Sequence, residues 1–316
     1  MPDVARMPSV VAVVVAYNRR DLLAETLTAL LAQDVAPDRV VVIDNASTDG
    51  SAALARTFGP LISVVELPRN TGGAGGFAAG MALALAEGDP DWLWLMDDDT
   101  VPSPSALREL LAAVAGTEYV AAGSRVIWTD GSEHPMNSPR TNPFATKAER
   151  ARARAHGGIA IRSTSFVSML VSAPVARLVG LPIADYFIWN DDFEYSTRVL
   201  RGRRGIHVPA SVVVHKTKAL GSTDTDPGER FYYEVRNKLW MLRWSRSLGV
   251  LEKLVYGASS VRRWVRTYRR SNDRATLASG WARGRRDGWR TRPRPNIVSL
   301  ADLGRVTAAV EGIERP

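Results

Sequence analysis

Four short apolar runs in the first hundred residues alternate with segments of helical periodicity. A run of a few apolar residues bounded by polar ones predicts a strand buried in a sheet. Leucines at helical spacing predict an amphipathic helix over 21–33, and small residues predict a second helix over 75–86. Strands alternating with helices predict a mainly parallel, Rossmann-like α/β sheet covered on both faces. The four predicted strands are Val10–Ala16, Val40–Ile43, Ile62–Leu67 and Trp92–Met96.

The pattern becomes less regular after residue 100, and we expect a second half with a different role. A long loop rich in Pro, Asn, Arg and Gly is predicted over 129–158, a polar loop over 216–228, and poor order beyond Ser271. This gives a regular α/β half (1–100), a second half (101–228) and a helical, basic C-terminal region (229–316). The remaining predicted elements are helices over 104–114, 191–200, 229–247 and 250–270, and strands over 120–128, 167–171 and 211–215.

The net charge of +8 is concentrated near the C-terminus, because residues 261–295 carry twelve arginines against two acids. A basic region on a balanced body predicts an anionic partner for that region alone. Basic helices with aromatic residues are typical of proteins that lie on an anionic membrane surface. The aromatic residues in question are Phe231, Tyr232, Tyr233, Trp240, Trp244, Trp264 and Tyr268.

The chain contains no cysteine, which excludes disulfides, thiolate nucleophiles and zinc–thiolate sites. The N-terminus lacks the features of a signal peptide, and no apolar run approaches the ~20 residues that span a bilayer. We therefore expect a cytoplasmic protein that is peripheral on the inner face of the plasma membrane. A nucleic-acid-binding protein would explain the arginines, but acids at strand ends repel phosphates, so no nucleic acid is expected.

Three consecutive aspartates, Asp97, Asp98 and Asp99, follow the fourth predicted strand. Ligands of open α/β sheets bind at the carboxyl ends of the strands. Adjacent carboxylates repel one another, and a divalent cation that also holds phosphate oxygens would relieve that repulsion. A solvated acidic turn is the alternative for the tripeptide alone. His215 ends a later strand and is a suitable nitrogen ligand for Mn²⁺ or Mg²⁺, or else a structural hydrogen-bonding group. His134, His156 and His207 have no acidic neighbours in the sequence, and no role is assigned to them.

Two further segments suggest contacts with a nucleotide. Asp44 ends the second strand, where its carboxylate can accept hydrogen bonds from a uracil imide or a ribose hydroxyl, or the segment simply caps the next helix. The glycines at 72–76 let the backbone approach an anion before a helix, or form a structural turn. A dinucleotide fingerprint would follow the first strand, whereas these glycines follow the third.

The segment 186–194 leads from aromatic residues into an acidic helix start. A carboxylate there, beside Trp189 and near a second acid, can act as a general base. An N-capped helix against an aromatic wall is the structural alternative.

In this order, the pieces resemble an inverting family 2 glycosyltransferase with the GT-A fold over residues 10–220. The matching pieces are Ala16-Tyr17-Asn18-Arg19, Asp44-Asn45 through Asp49, Arg69-Asn70 with the glycines, the triple aspartate, Trp189 through Glu194, and His215. The resemblance implies that Asp97, Asp99 and His215 bind the metal and that Asp192 is the base. It also implies donor contacts at Ala16, Tyr17, Asn18, Asp44, Asn70, Gly73, Asp97 and Asp98, and acceptor contacts at Trp189, Asp191 and Glu194.

The glycine run with Phe77, the triple aspartate and the tryptophan-acid motif look like the actinobacterial galactofuranosyltransferases of cell-wall galactan synthesis. The resemblance implies UDP-galactofuranose as donor and a lipid-linked saccharide as acceptor. Bacterial rhamnosyltransferases share most of these features, so a dTDP-rhamnose donor with a lipid-linked acceptor is the alternative. An inactive binding module and a hydrolase are further possibilities that the motifs favour less.

Overall fold

The computed structural model describes residues 6–217 and 226–314, and a sheet of ten strands lies at the centre of this part of the chain. The sheet order is β3-β2-β1-β4-β9-β6-β10-β8-β7, with β5 paired to β10. The pairings make β1–β4, β6, β7 and β10 run in one direction, which confirms the predicted mainly parallel sheet. The strands are β1 (Val10–Ala16), β2 (Arg39–Asp44), β3 (Ile62–Glu66), β4 (Trp92–Asp97), β5 (Thr100–Pro102), β6 (Tyr119–Ile127), β7 (Arg140–Thr141), β8 (Ile159–Ser163), β9 (Met169–Ser172) and β10 (Arg204–His215).

Helices cover both faces of the sheet, as the alternating pattern predicts. Val11, Val13 and Val15 of β1 face α3 and α12 on one side, whereas Val10 and Val14 face α1 and α4 on the other. The helices are α1 (Arg20–Leu31), α2 (Ser51–Ala55), α3 (Gly72–Ala86), α4 (Ala106–Val114), α5 (Lys147–Ala155), α6 (Ala173–Val179), α7 (Asp191–Val199), α8 (Phe231–Trp244), α9 (Val250–Arg270), α10 (Arg274–Arg290), α11 (Asn296–Ser299) and α12 (Arg305–Glu314).

Helix α3 is buried on all sides because it lies between β1 and the C-terminal helix α12. Its glycines allow this packing: a Cβ on Gly80 would approach Cγ1 of Val13 to 2.4 Å, and one on Gly76 would approach Cγ1 of Val15 to 2.5 Å. A helix that is apolar all round is one that the protein encloses. The helical region begins at residue 228. Its last helix, α12, packs against α3 and so belongs to the core of the sheet domain.

The expectation of poor order beyond Ser271 is wrong, because α10, α11 and α12 follow it. Helix α10 lies close to α8 through Gly280, Gly284 and Gly288, and a Cβ on Gly284 would come within 2.7 Å of a backbone oxygen of α8. The four-residue spacing of these glycines gives a smooth stripe that lets two backbones approach. The many arginines of this segment obscured that stripe.

Two other expectations also need correction. The segment 129–158 is not one long loop, since it contains β7 and α5, and α5 starts with a capping box between Thr146 and Glu149. Phe231 and Trp240, expected to be available to a membrane, are 2% and 3% exposed and pack inside the protein. The polar loop predicted over 216–228 lies for the most part outside the described residues. The other predicted elements are confirmed, with β10 extending further toward the N-terminus than predicted.

Candidate active site

The acidic strand end and His215 meet because β5 turns back to pair with β10. Thr100, directly after the triple aspartate, pairs with His215, and the backbone N–H of Lys216 donates to the carbonyl of Asp99 at 2.8 Å. As a result, ligand atoms of Asp97, Asp99 and His215 all lie within 4.8 Å of one another. Two carboxylate oxygens and one imidazole nitrogen form a donor set suited to Mn²⁺ or Mg²⁺.

The orientation of these groups also suits a cation. Oδ1 of Asp99 lies 3.0 Å from Nε2 of His215, yet it has no hydrogen bond of good geometry within the described part of the chain. Nδ1 of His215 is 3.1 Å from Oδ1 of Asn137, so a proton shared there would leave Nε2 as a lone-pair donor toward the aspartates. A buried oxygen without a partner is costly, and a bound cation would remove that cost.

The protonation of the cluster depends on burial and on its own charges. Burial, and then the charge of Asp99, raises the pKa of Asp97 to about 6. Burial alone would raise the pKa of Asp99, but His215 and Arg19 outweigh it and the pKa is lowered. Burial lowers the pKa of His215, but its contact with Asp99 outweighs this and the pKa is raised. The raised pKa of Asp97 favours its protonated form at mildly acidic pH, where a proton would compete with a cation for the site.

Asp98 faces the end of β1 instead of the metal ligands. Its Oδ2 accepts the backbone N–H of Tyr17 at 2.9 Å, and its Oδ1 accepts from Arg19 at 3.2 Å. Burial raises the pKa of Asp98 to about 7. Arg19 contacts both Asp98 and Asp99, so one guanidinium balances part of the charge of the triple aspartate.

The residues expected to hold the nucleotide gather at the neighbouring strand ends. In the sheet register Ala16 pairs with Asp44, while Val15 pairs with Asp97. Oδ1 of Asp44 accepts from the N–H of Ser47 at 2.7 Å, but its buried Oδ2 has no hydrogen-bond partner among the residues that the structure describes. That oxygen is therefore available to accept a hydrogen bond from a ligand.

The loops around Asp44 are tied to one another. Asn18 has a positive φ of 51°, its N–H donates to Ser47, and its Oδ1 accepts from the N–H of Thr48. Tyr17 beside it is 46% exposed. The side chains of Asn45 and Asn70 both hydrogen-bond the backbone at the start of α3, where Oδ1 of Asn70 accepts from the N–H of Gly72 at 2.7 Å.

Gly72 and Gly73 differ in their surroundings. Gly72 has a φ of 73°, and a Cβ there would lie 2.0 Å from the carbonyl oxygen of Phe187. Gly73 has open space at its Cβ position and lines the cleft. Position 72 thus has to be glycine because the 187–190 segment passes so close to it. The open space at Gly73 leaves room for a ligand.

The segment before α7 has an unusual backbone, since Phe187, Trp189 and Asn190 all have positive φ angles of 64–69°. Non-glycine residues in this region cost free energy and occur where the surroundings impose them. Here the surroundings are α8: the side-chain amide of Asn237 donates to the carbonyls of Tyr186, Ile188 and Trp189 at 2.8–2.9 Å. Asn190 in turn donates to Glu234 of α8 at 2.8 Å. Helix α8 therefore sets the path of the backbone that leads into Asp191 and Asp192.

The two aspartates at the start of α7 differ in their environment. Burial and the neighbouring charge of Asp192 raise the pKa of Asp191 well above its ordinary value. Burial also raises the pKa of Asp192, but the Phe193 N–H, Arg140 and Lys238 oppose this rise. Asp192 is thus the carboxylate that nearby cations favour in its ionised form, as a base requires.

One open cleft of 1040 Å³ joins the metal-ligand cluster to these aspartates. Asp97, Asp99, His215, Gly73, Trp189, Asp191 and Asp192 all line it. Ala16, Tyr17, Asn18, Asp44, Asn70 and Asp98 lie at the adjoining strand ends, outside this lining. Glu194 is 1% exposed, and its carboxylate is held by Arg198 and Ser245, so the acceptor contact predicted for Glu194 is not supported.

Several residues near the cleft were not singled out in the sequence. Asn137 and His134 come from the irregular segment 129–158; the ring of His134 lies 4.9 Å from that of His215 and is buried. Lys238 and Asn237 come from α8, where the signal in the sequence was three consecutive polar residues at 236–238, all of which the structure buries. Such a run on a helix that packs inside the protein indicates specific polar contacts.

The described helices include none that is both long and apolar enough to cross a bilayer. The family model described as Glycosyl transferase family 2 matches residues 11–173. The chain is 34% identical to galactofuranosyltransferase GlfT1 of Mycolicibacterium smegmatis over 202 residues, which are 61% of this chain and 65%, slightly under two thirds, of that protein. It is 32% identical to GlfT1 of Mycobacterium tuberculosis over 253 residues, 74% of this chain and 82% of that protein.

Solved structures of other proteins share the fold of this chain. Residues covering 96% of this chain superpose on half of the S. aureus TarS crystal structure, with a TM-score of 0.59 and 15% identity. The mannosyltransferase PcManGT from Pyrobaculum calidifontis, solved with GDP-Man and Mn²⁺, matches 99% of this chain and 88% of its own, with a TM-score of 0.55 and 18% identity.

Proposed function

The chain belongs to glycosyl transferase family 2 and has the GT-A fold, and from this premise we propose that it is a metal-dependent, inverting galactofuranosyltransferase. The donor would be UDP-galactofuranose and the acceptor a lipid-linked saccharide, in cell-wall or surface polysaccharide synthesis. One observation carries the mechanism: the cluster of Asp97, Asp99 and His215 and the carboxylate of Asp192 line one cleft.

The reaction makes one bond and breaks one. The oxygen of an acceptor hydroxyl attacks the anomeric carbon of the donor sugar, the bond from that carbon to the diphosphate breaks, and UDP leaves with the electron pair. Asp192 takes the proton of the attacking hydroxyl. In-line attack inverts the anomeric centre, so the base and the leaving diphosphate must lie on opposite sides of the sugar. One positioned base contributes roughly 10²–10⁴ in rate.

Different residues at the strand ends would bind the diphosphate and the nucleoside of the donor. A divalent cation held by Asp97, Asp99 and His215 would stabilise the charge that develops on the leaving diphosphate. The unpartnered Oδ2 of Asp44 suits a hydrogen-bond donor of the nucleoside, and Ala16 pairs with Asp44 at the same strand end. Trp189 and Asp191 lie next to the base, where they are candidates to contact the acceptor sugar.

The galactofuranose donor rests on the similarity to the two mycobacterial relatives and on the resemblance of the glycine run, the triple aspartate and the tryptophan-acid motif to galactofuranosyltransferases. The test is turnover of UDP-galactofuranose, UDP-galactopyranose, UDP-glucose and dTDP-rhamnose with a lipid-linked rhamnosyl–GlcNAc acceptor. Chelator-sensitive product from UDP-galactofuranose alone is the expected result. Product from dTDP-rhamnose alone would identify the chain as a rhamnosyltransferase with the same mechanism. Donor consumption that does not depend on the acceptor would indicate a hydrolase.

A lipid-linked acceptor requires contact with a membrane, and α9 has the properties for it. Leu251, Leu254, Val261, Val265 and Tyr268 are 42–67% exposed and recur at helical spacing along one face. The helix carries six basic residues against the single acid Glu252, so its charge complements an anionic bilayer. The peripheral position on the inner face of the plasma membrane that we propose for the protein thus rests on α9, since the aromatic residues Phe231 and Trp240 of α8 are buried.

Vesicle flotation tests this contact with point variants, because removing the C-terminus would also remove α12 from the core. Leu254→Ser combined with Val261→Ser should lower the affinity for phosphatidylglycerol vesicles, measured by flotation, at least about a hundredfold, since each buried apolar side chain contributes ~1.5–3 kcal/mol. Leu178→Ser, at a 72% exposed apolar residue on α6, is the matched control and should float like the unmodified protein. Equal flotation of all three proteins would contradict membrane contact through α9.

A further inference from the structure

Part of the cleft beside Asp192 is lined by cations. Arg140, Arg230, Lys238, Arg262 and Arg263 all contribute to its wall. The metal-ligand cluster at the other part of the same cleft is acidic. With a divalent cation held by the acidic cluster, both parts of the cleft would attract anionic groups, which suits a ligand, or a pair of ligands, with anionic groups in two places.

Arg140 and Lys238 are held together around one aromatic ring. Cζ of Arg140 lies 5.4 Å from the centroid of Phe193, and Nζ of Lys238 lies 4.6 Å from it. Phe193 directly follows Asp192, so both cations are adjacent to the proposed base. Burial lowers the pKa of Lys238 to about 8. Holding two like charges this close is unfavourable unless an anion balances them.

Glu234, the acid of α8 nearest to Lys238, already binds other groups. The carboxylate of Glu234 accepts hydrogen bonds from Arg263, from Nε1 of Trp264 at 3.1 Å and from Asn190 at 2.8 Å. Within 6–217 and 226–314, neither Arg140 nor Lys238 takes part in an ion pair closer than 4 Å. Asp192 balances them only in part, and it must take up a proton during the reaction.

We propose that Arg140 and Lys238, together with Arg262 of α9, bind a phosphate or diphosphate group of the acceptor. This rests on the proposed function, because it assigns the cleft beyond Asp192 to the acceptor. The donor diphosphate belongs at the other part of the cleft, with the metal ligands. Arg262 and Arg263 of this wall belong to α9, which also carries the exposed apolar residues Leu254, Val261 and Val265, so a phosphate and its lipid chain would meet different sides of one helix. Arginine is suited to this role because its planar group binds phosphate oxygens in pairs.

The test compares two acceptors with the same saccharide, one on a lipid diphosphate and one on a neutral octyl group. Arg140→Gln and Arg262→Gln should each lower the preference for the diphosphate acceptor, measured as the ratio of the two kcat/KM values, by about tenfold, in line with the loss of a charged hydrogen bond. Any effect that acts through Asp192 changes both kcat/KM values together and leaves their ratio constant. Arg269→Gln, on α9 but outside the cleft lining, should keep the ratio of the unmodified protein.

A ratio that stays the same in both variants would overturn the proposal. So would loss of binding to phosphatidylglycerol vesicles in Arg140→Gln without a change in the ratio, because the cluster would then bind membrane headgroups. A chain that transfers sugar to neither acceptor would contradict the proposed function instead. In that case calorimetry with farnesyl diphosphate, at saturating UDP and Mn²⁺, decides the binding proposal: a Kd raised about tenfold in Arg140→Gln supports it, and an unchanged Kd overturns it.

Discussion

The side-chain amide of Asn237 donates a hydrogen bond to the carbonyl oxygen of Trp189, 2.8 Å away, and so couples helix α8 to the backbone just before the proposed base. Trp189 has a φ of 69°, and the same amide also contacts the carbonyls of Tyr186 and Ile188. A left-handed backbone of this kind persists only where surrounding contacts fix it. Helix α8 therefore fixes the backbone that carries the proposed base.

Replacing Asn237 should reduce catalysis more than it reduces donor binding. Asn237→Ala leaves three carbonyls with fewer donors, which should cost about 1–3 kcal/mol of unfolding free energy and lower kcat at least tenfold, since Asp192 loses its fixed position. Affinity for UDP, measured by calorimetry, should change less than twofold.

Arg243→Ala is the matched control for Asn237→Ala. Arg243 also lies on α8 and donates to backbone carbonyls, those of Gly288 and Trp289, but it does so on the side of α10. It should lower the unfolding free energy by a similar amount and leave kcat nearly unchanged. Equal losses of kcat in the two variants would show that α8 acts only through overall stability.

Asp192→Asn and Asp191→Asn should differ in their effect on transfer. Asp192→Asn should lower kcat by roughly 10²–10⁴, because the base is lost. Asp191→Asn should cost much less, since burial and the charge of Asp192 keep the pKa of Asp191 well above its ordinary value and favour its neutral form. A larger loss of kcat in Asp191→Asn than in Asp192→Asn would indicate that Asp191 is the base.

The pH dependence of kcat/KM should follow the ionisation of Asp192. Burial raises the pKa of Asp192 above the 3.8 of a free aspartate, and a base must be deprotonated to act. Transfer should therefore rise as the pH increases, with a midpoint above 3.8. A rate that falls with increasing pH over pH 4–7 would exclude a carboxylate base.

Mn²⁺ should stabilise the protein more at pH 8 than at pH 5.5. The folded pKa values of Asp97 and Asp98, about 6 and about 7, lie above the 3.8 of an unfolded aspartate, so the folded state binds more protons between these values. Without metal, these groups therefore make the protein less stable as the pH rises through 4–7. His215 acts in the same direction, because its raised pKa contributes stability that is lost as the pH rises through it.

A cation bound by Asp97, Asp99 and His215 removes the part of this penalty that comes from Asp97 once its proton has left, and at 100 times its Kd it adds about 2.7 kcal/mol. Melting temperatures with MnCl₂ and with chelator at the two pH values measure the effect. His215→Ala should abolish most of the metal-dependent shift at pH 8. A shift of the same size at both pH values would argue against metal binding by these carboxylates.

The neighbouring glycines of α3 offer a pair of substitutions with opposite expectations. Gly72→Ala forces a Cβ against the carbonyl of Phe187 at a φ of 73°, and should cost at least ~2 kcal/mol of unfolding free energy. Gly73→Ala meets nothing within 4 Å and should change the unfolding free energy by less than ~1 kcal/mol. Denaturant unfolding of both variants checks this, and equal losses would contradict the close approach of the 187–190 segment to α3.

The strands and the acids at their ends could be predicted because their signals are local. An apolar run such as Val10–Ala16 has to be buried, and a sheet of such runs in parallel brings their carboxyl ends to one edge. Asp44 and Asp97 were predicted to end strands on this argument, and the sheet order then places both beside the end of β1. His215 came to the same edge through a strand that the sequence also predicted.

The contacts made by α8, α10 and α12 were decided only by the tertiary structure. Arginine content dominated the sequence pattern there, whereas the glycine stripe of α10 and the apolar residues of α12 have meaning only against α8 and α3. The hydrogen bonds from Asn237 to the backbone before α7, the bond from Ser245 to Glu194 and the meeting of Arg140 and Lys238 at Phe193 each join residues at least 45 positions apart. The sequence by itself determined the sheet and the chemistry at its edge, because each strand and its terminal acid is a local pattern. Only the tertiary structure decided which helices brace the base and line the acceptor side of the cleft, because those contacts depend on the packing of distant segments.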